Sequence, residues 1–125
     1  MKAIVIGANG QLGWEVCHRG AKQGFEIVAL DIPEFDITDS YAVEKAVSRS
    51  GISLVINASA YTAVDKAESE PELAFAVNRD GPAYLASSCA KIGLPLIHIN
   101  RNYGLRGNSG DTLFSLCIYC LGLLV

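Results

Sequence analysis

Three glycines in the first loop of the chain have a spacing that suits phosphate binding. Gly7, Gly10 and Gly13 form a GxxGxxG pattern directly after the apolar run 2–6. Glycine lets the backbone turn tightly and approach a pyrophosphate closely. A helix that begins at this loop would add free N–H groups and a favourable dipole. A tight turn without a ligand is the alternative, but the strand–loop–helix context favours a dinucleotide site. The predicted contacts are Gly7, Asn9, Gly10, Gln11, Leu12 and Gly13.

An acidic residue ends the second apolar run. Asp31 lies eighteen residues after Gly13, where a carboxylate can accept hydrogen bonds from the adenosine ribose. Because a carboxylate repels a 2′-phosphate, NAD is favoured over NADP. A solvated aspartate at a strand end is the alternative. Asp36 and Ile37 lie just beyond and are predicted to border the adenine.

Small residues follow the third apolar run. In open α/β folds, ligands bind at the carboxyl edge of the sheet. Small side chains at that edge would let the backbone meet the ribose of the cofactor. The predicted lining residues are Ala58, Ser59, Ala60 and Thr62.

Apolar runs and helical patterns alternate along the chain, and they are the elements that must position these residues. Strands are predicted at 2–6, 26–30, 53–57 and 94–99, and helices at 11–22, about 40–50 and 71–92, the last disturbed at Gly81-Pro82. This order is typical of a parallel sheet with right-handed crossovers. We therefore predict an α/β, Rossmann-like fold of about four parallel strands with helices on both faces. Residues 1–99 form the NAD(P)-binding half, and 100–125 form a divergent polar loop and an apolar tail.

Composition limits the function classes. The chain has 125 residues, 50% of them hydrophobic, and a net charge of −3, which suits one domain with a buried core. No Lys/Arg cluster is present, so we expect no nucleic-acid partner. No apolar stretch reaches the ~18 residues of a membrane span, and the N-terminal apolar run is too short for a signal peptide. Four cysteines without framework spacing favour a reducing cytoplasm.

Several residues of reactive types are given no catalytic or metal-binding role. Tyr41 and Lys45 form a Tyr-x-x-x-Lys pair, but on a helix far from the expected nicotinamide end of the cleft. Cys117 and Cys120 form a CxxC without the second ligand pair of a zinc site. His18 is expected to be solvated, and His98 to lie in the core or at a strand end. No catalytic residue and no metal ligand are therefore predicted.

Four segments carry a resemblance to a known family. They are 6–15 (IGANGQLGWE), 29–39 (ALDIPEFDITD), 55–78 (VINASAYTAVDKAESEPELAFAVN) and 96–99 (LIHI). The chain resembles the extended short-chain dehydrogenase/reductase family, in particular the branch that acts on dTDP-4-dehydro-rhamnose. The resemblance implies reduction of the 4-keto group with NADH or NADPH, which gives dTDP-L-rhamnose. It also implies cofactor contacts at Gly7, Gly10, Gly13, Asp31, Ala58, Ala60 and Thr62.

The resemblance also bears on assembly. Glu15 matches a position that contributes to a Mg2+ site between subunits in some members of the family. Mg2+ in intact relatives and a homodimer are therefore expectations from the resemblance.

The chain departs from the family after residue 99. The family continues with Ser-Thr-Asp-Tyr, whereas residues 100–103 read Asn-Arg-Asn-Tyr, and no later Tyr-x-x-x-Lys pair follows. Two groups that the family uses therefore have no match here. One is the threonine hydroxyl that orients the substrate carbonyl, and the other is the tyrosine that donates the proton. We expect a frameshifted or truncated reductase that is inactive alone. Two alternatives are a non-catalytic nucleotide-binding regulatory module and another nucleotide-sugar reductase or epimerase.

Overall fold

Strands and helices alternate in the computed structural model, which describes residues 1–59, 70–101 and 114–119. The described elements are β1 (Lys2–Ile6), α1 (Gln11–Lys22), β2 (Glu26–Leu30), α2 (Ser40–Val47), β3 (Ile52–Asn57), α3 (Pro71–Phe75), a π-helical turn (Ala76–Asp80), α4 (Gly81–Lys91), β4 (Leu96–Arg101) and β5 (Phe114–Tyr119). The bounds of β1, α1 and β2 are those predicted. β3 begins one residue earlier than predicted, and β4 begins two residues later.

The sheet has the strand order β2-β1-β3-β4-β5. The first four strands pair in parallel, which confirms the predicted parallel sheet. β5 adds an antiparallel edge to β4, so part of the apolar segment joins the sheet. Because the chain passes from β1 to β2 and then crosses to β3 on the other side of β1, the connection reverses direction at β1. In open α/β sheets, ligands bind at the carboxyl ends of the strands beside such a reversal.

Helices cover both faces of the sheet, as predicted. Alternate residues of a strand point to opposite faces. Ile27 faces α1, because a Cβ added at Gly20 would lie 3.0 Å from the Ile27 Cδ1 atom. Ile4 and Ile6 point to the other face, where they pack with α2 and α4. The main buried cluster on that face comprises Ile4, Ile6, Phe35, Ile37, Val43, Ala46, Val47, Val55, Leu85, Cys89, Leu94 and Leu96.

The third helical segment is divided where the sequence predicts a disturbance. The π-helical turn ends at Asp80, and α4 begins with Gly81 and Pro82. Proline is tolerated in the first turn of a helix, where its missing N–H would have no intrahelical partner. Gly81 is buried against Ile37, and a Cβ there would lie 2.9 Å from the Ile37 Cγ1 atom. The absence of a side chain at Gly81 thus lets α4 lie close to the segment that precedes α2.

The Cys89 thiol is expected to be chemically inert in the folded chain. Cys89 is 2% exposed, and burial raises its pKa from 9.0 to about 11. Since the thiolate is the reactive form, an alkylating reagent at pH 8 should modify the half-buried Cys17 well before Cys89. Mass mapping of the labelled peptides measures this order. Equal rates in urea are the control, and equal rates in the native chain would contradict the burial of Cys89.

The raised pKa of Cys89 also makes the folding stability of the chain depend on pH. The unfolded thiol ionises at a lower pH than the folded thiol. The contribution of Cys89 to stability is therefore complete below pH 9.0 and is lost as the pH rises through about 11.

Candidate dinucleotide-binding site

The glycine loop joins the carboxyl end of β1 to α1 and is held by both neighbouring strands. Gly7 has a φ of +81°, a conformation that favours glycine, and a Cβ there would lie 2.7 Å from the Ser59 nitrogen. The N–H groups of Gly7 and Ala8 donate to the Leu30 carbonyl oxygen at 2.9 and 3.3 Å. The loop therefore depends on the chain after β3 and on the end of β2.

Gly13 lets α1 begin in direct contact with this loop. It is the buried residue of the first turn of α1. A Cβ added there would lie 2.0 Å from the Gly7 oxygen and 2.9 Å from the Ala8 Cα. Both atoms belong to the backbone, so no side chain could move aside. Glycine at this position is thus a packing requirement.

Gly10 is different, because the described residues leave room for a side chain there. Its φ of −72° and ψ of 163° are accessible to any residue. A Cβ there would meet one atom of the described residues within 4 Å, the Gly7 oxygen at an ordinary 3.4 Å. Neither strain nor packing in this part of the chain accounts for glycine. A ligand that approaches the backbone over Gly10 would account for it.

The N-terminus of α1 is open beside Gly10. Gly10 is the N-cap, and no side chain of the described residues caps the helix. The Trp14 N–H donates to the Gly10 oxygen at 2.9 Å, as the first hydrogen bond of the helical pattern. The N–H groups of Gln11, Leu12 and Gly13 therefore have no carbonyl partner within α1. The first turn also carries no acidic side chain. The positive end of the helix dipole is therefore available to an anion.

The structure brings Asp31 to the glycine loop. Its half-buried carboxylate accepts hydrogen bonds from the Asn9 N–H and from the Ile32 N–H, both at 2.8 Å. These bonds use different carboxylate oxygens, and each oxygen keeps a further lone pair. Asp31 can therefore accept bonds from ribose hydroxyls while it holds the loop.

The other predicted contact residues differ in their exposure and in their distance from the glycine loop. Asp36 is exposed, and its Oδ1 accepts bonds from the Thr38 N–H at 2.9 Å and the Thr38 hydroxyl at 2.7 Å. The Ile37 side chain is in the core at 5% exposure, which leaves its backbone to border an adenine. Ala58 lies beside the loop, since its N–H donates to the Ile6 oxygen at 2.8 Å. Ala60 and Thr62 lie outside the described residues.

Sequence reasoning missed a polar cluster next to the loop. Asn57 is 0% exposed, and its side chain contacts Ser59 and His98. His98 lies half-buried within β4, and burial lowers its pKa. The available signal was a polar residue in each of two apolar runs, Asn57 at the end of one and His98 inside the other, because buried polar groups need partners.

Side chains that the sequence analysis set aside lie elsewhere. Tyr41 is 73% exposed on α2, and Lys45 is also exposed. His18 is exposed and its ring stacks on Trp14, with 3.6 Å between the ring centroids. Glu15 pairs with Arg19 at 3.2 Å.

The described residues offer neither a metal cluster nor a membrane helix. Among residues 1–59, 70–101 and 114–119, no group of three or more His, Cys, Asp or Glu could hold a metal ion. Cys117 lies in β5, and Cys120 lies outside the described residues. No helix in this part of the chain is long and apolar enough to cross a membrane.

Comparison with known proteins gives consistent matches. The profile of the RmlD substrate binding domain family matches residues 1–114. A dTDP-4-dehydrorhamnose reductase from Mycobacterium tuberculosis is 40% identical over 109 residues, which cover 87% of this chain and 35% of that protein. A dTDP-4-dehydrorhamnose reductase from Streptomyces griseus is 42% identical over 107 residues, which cover 86% of this chain and 35% of that protein. The chain spans about a third of the length of these curated relatives.

Solved structures match the fold over the same region. The crystal structure of a dTDP-4-dehydrorhamnose reductase from Clostridium acetobutylicum has a TM-score of 0.72 and 38% identity, and the match covers 77% of this chain and 34% of that one. The reductase of the same name from Bacillus anthracis, crystallised in complex with NADP, has a TM-score of 0.70 and 33% identity. That match covers 76% of this chain and 34% of the solved chain.

Proposed function

Because the chain belongs to the RmlD substrate binding domain family, we propose that it is the cofactor-binding part of an NAD(P)H-dependent sugar-nucleotide reductase. The whole protein would reduce the 4-keto group of dTDP-4-dehydro-rhamnose to give dTDP-L-rhamnose. The observation that carries the proposal is the open backbone at Gly10, where the described chain itself has no need of glycine. A nicotinamide dinucleotide, when bound, supplies the hydride for such a reduction.

The proposed contacts follow the geometry of the loop. The pyrophosphate would lie over Gly10 and accept bonds from the first-turn N–H groups of α1. Asp31 would accept bonds from the adenosine ribose, and its charge supports a preference for NADH over NADPH. The full set of proposed contacts is Gly7, Asn9, Gly10, Gln11, Leu12, Gly13, Asp31, Asp36, Ile37, Ala58, Ser59, Ala60 and Thr62.

The setting of the protein is also part of the proposal. The cysteine spacing and the net charge of −3 support a cytoplasmic protein without a nucleic-acid partner. A homodimer with Mg2+ near Glu15 is supported by the family resemblance alone. Within this chain, Glu15 is paired with Arg19.

A second candidate is a nucleotide-binding regulatory module without turnover. Asn100 and Arg101 favour it, because they stand where the family resemblance leads us to expect Ser and Thr. The two candidates differ in one assay, the oxidation of NADH in the presence of dTDP-4-dehydro-rhamnose. Turnover supports the reductase, whereas dinucleotide binding without turnover supports the module.

Cofactor selectivity tests the assignment of Asp31. We expect the chain to bind NADH more tightly than NADPH in titrations followed by nicotinamide fluorescence. Asp31→Asn should shift the ratio of the two affinities towards NADPH by about tenfold, because a charge-assisted bond to the ribose and a repulsion of the 2′-phosphate are both removed. Failure of the wild-type chain to bind either dinucleotide would contradict the proposed function.

Asp39→Asn is the matched control for the loss of one negative charge. Asp39 is the N-cap of α2 and accepts bonds from Tyr41 and Ala42, a role that asparagine fills equally well. Its affinity ratio should equal that of the wild type. If Asp31→Asn also leaves the ratio unchanged, Asp31 is not the ribose contact.

A further inference from the structure

A buried amide connects β3 with β4 immediately behind the glycine loop. Asn57 ends β3 and is paired in register with His98 of β4. Its side chain is 0% exposed, so each of its polar atoms needs a partner. The Asn57 Nδ2 lies 3.1 Å from the His98 Nδ1. The Asn57 Oδ1 lies 3.0 Å from the Ser59 backbone nitrogen and 2.6 Å from the Ser59 hydroxyl.

The orientation of this amide follows from its partners. The Ser59 N–H can only donate, so the Asn57 atom that faces it must be the oxygen. The Asn57 NH2 group then faces His98 and can only donate. The His98 Nδ1 must therefore be an acceptor, and the imidazole must be neutral with its proton on Nε2. The lowered pKa of His98, which burial causes, agrees with a neutral ring.

The same contacts reach the dinucleotide loop. Gly7 rests on the peptide that joins Ala58 and Ser59, because a Cβ at Gly7 would lie 2.7 Å from the Ser59 nitrogen, 2.8 Å from the Ala58 carbonyl carbon and 2.8 Å from the Ser59 Cα. The Asn57 amide is held at both ends, because its oxygen accepts from Ser59 and its NH2 group donates to His98. Loss of the His98 acceptor would remove one of these two contacts. A change at His98 should therefore move the surface under Gly7, although His98 lies on a different strand.

We propose that Asn57 and His98 are positioning residues of the dinucleotide loop: the His98 Nδ1 lone pair fixes the Asn57 amide, which holds Ser59 under Gly7. The inference rests on the proposed function, since it assigns these residues to dinucleotide affinity. They would act through Ser59 and Gly7, since the fully buried Asn57 side chain offers no surface to a cofactor. The sequence separation of Asn57 and His98, 41 residues, makes this a link between distant parts of the chain.

The protonation form of His98 is the first test, and it needs no cofactor. Nitrogen-15 NMR of the full chain at neutral pH distinguishes a proton on Nε2 from one on Nδ1. We expect the Nε2–H form in the wild type. In Asn57→Asp both side-chain oxygens accept, so His98 should instead carry a proton on Nδ1. An Nδ1–H signal assigned to His98 in the wild type would overturn the proposal. The His18 signal must be assigned separately, because the His18 Nδ1 faces the Trp14 carbonyl oxygen at 2.9 Å and is itself expected to carry a proton.

The second test compares two replacements of His98 by their affinity for NADH. His98→Asn places an amide oxygen where Nδ1 stood, so it can still accept the bond from Asn57. His98→Leu fills the space but leaves the Asn57 NH2 group without an acceptor. We expect His98→Leu to raise the Kd for NADH by about tenfold and His98→Asn to restore most of the affinity. Melting temperatures of both variants verify that folded chains are compared.

The outcomes separate the two proposals. If the wild-type chain binds no dinucleotide, the proposed function fails, and the positioning role fails with it. If the wild type binds NADH and His98→Leu binds it equally well, the positioning role alone is overturned. If His98→Leu does not fold, the comparison of wild type with His98→Asn and the NMR signal of His98 still decide the matter. An Asn variant with a large loss of affinity would contradict the role of the Nδ1 lone pair.

Discussion

Replacing Gly13 by alanine is expected to destabilise the folded chain by about 3 kcal/mol, at the upper end of the usual cost of overpacking. The added methyl group would lie 2.0 Å from the Gly7 oxygen and 2.9 Å from the Ala8 Cα. Gly7 cannot retreat, because its other side rests on Ser59 and its N–H is bonded to Leu30. Relief would therefore require α1 to move away from the sheet. Urea denaturation followed by circular dichroism measures the change in free energy.

Gly20→Ala is the matched control in the same helix. A Cβ at Gly20 would lie 3.0 Å from the Cδ1 atom of Ile27, which is the end of a flexible side chain. Alanine also gains up to about 1 kcal/mol over glycine in a helix interior. We expect Gly20→Ala to lie within about 1 kcal/mol of the wild type. Equal stabilities for Gly13→Ala and Gly20→Ala would show that α1 does not press on the loop at Gly13.

Replacing Gly10 by alanine should affect binding rather than folding, in contrast to Gly13→Ala. We expect a large loss of affinity for NADH and a nearly unchanged free energy of unfolding. The described residues leave ordinary van der Waals space for the methyl group, and the backbone conformation suits alanine. Folding stability should change by less than about 1 kcal/mol, since alanine also restricts the unfolded chain. The Kd for NADH should rise by at least about tenfold, because the methyl group occupies the space where a pyrophosphate approaches the helix N-terminus.

Two measurements on Gly10→Ala decide this prediction. Isothermal titration with NADH gives the affinity, and urea denaturation gives the stability. Gly20→Ala again serves as the control, because it makes the same chemical change on α1 away from the loop. An unchanged affinity for NADH in Gly10→Ala would contradict the proposed position of the pyrophosphate over Gly10. A large loss of stability would show that the space over Gly10 is needed by the protein itself.

Sequence patterns predicted the features of this molecule that depend on neighbouring residues. Apolar runs and helical spacing located β1, α1 and β2 at their observed bounds. The glycine spacing predicted a dinucleotide loop, because tight turns and close approach require glycine locally. The sequence did not show that the three glycines have different roles. Gly10 and Gly13 differ in the atoms that a Cβ at each position would contact, and only the structure gives those atoms.

Features that depend on distant partners were not predictable in this way. β5 pairs with β4 across a sharp change in composition, and no local pattern specifies its antiparallel direction. The contact between Asn57 and His98 joins residues 41 positions apart. A buried polar residue in a strand signals that some partner exists, but the strand order decides which one.

The bond between Asp31 and Asn9 links the proposed cofactor selectivity to the shape of the glycine loop. The carboxylate that would discriminate between the two dinucleotides also holds the Asn9 N–H at 2.8 Å. An engineer who wished to admit a 2′-phosphate could not simply delete the acid, because the loop would lose its anchor. The replacement would need a neutral acceptor of similar reach, as in Asp31→Asn, so that the Asn9 N–H keeps a partner. Under the proposed function, dinucleotide selectivity therefore depends on the contact between two loop residues, Asn9 after β1 and Asp31 after β2.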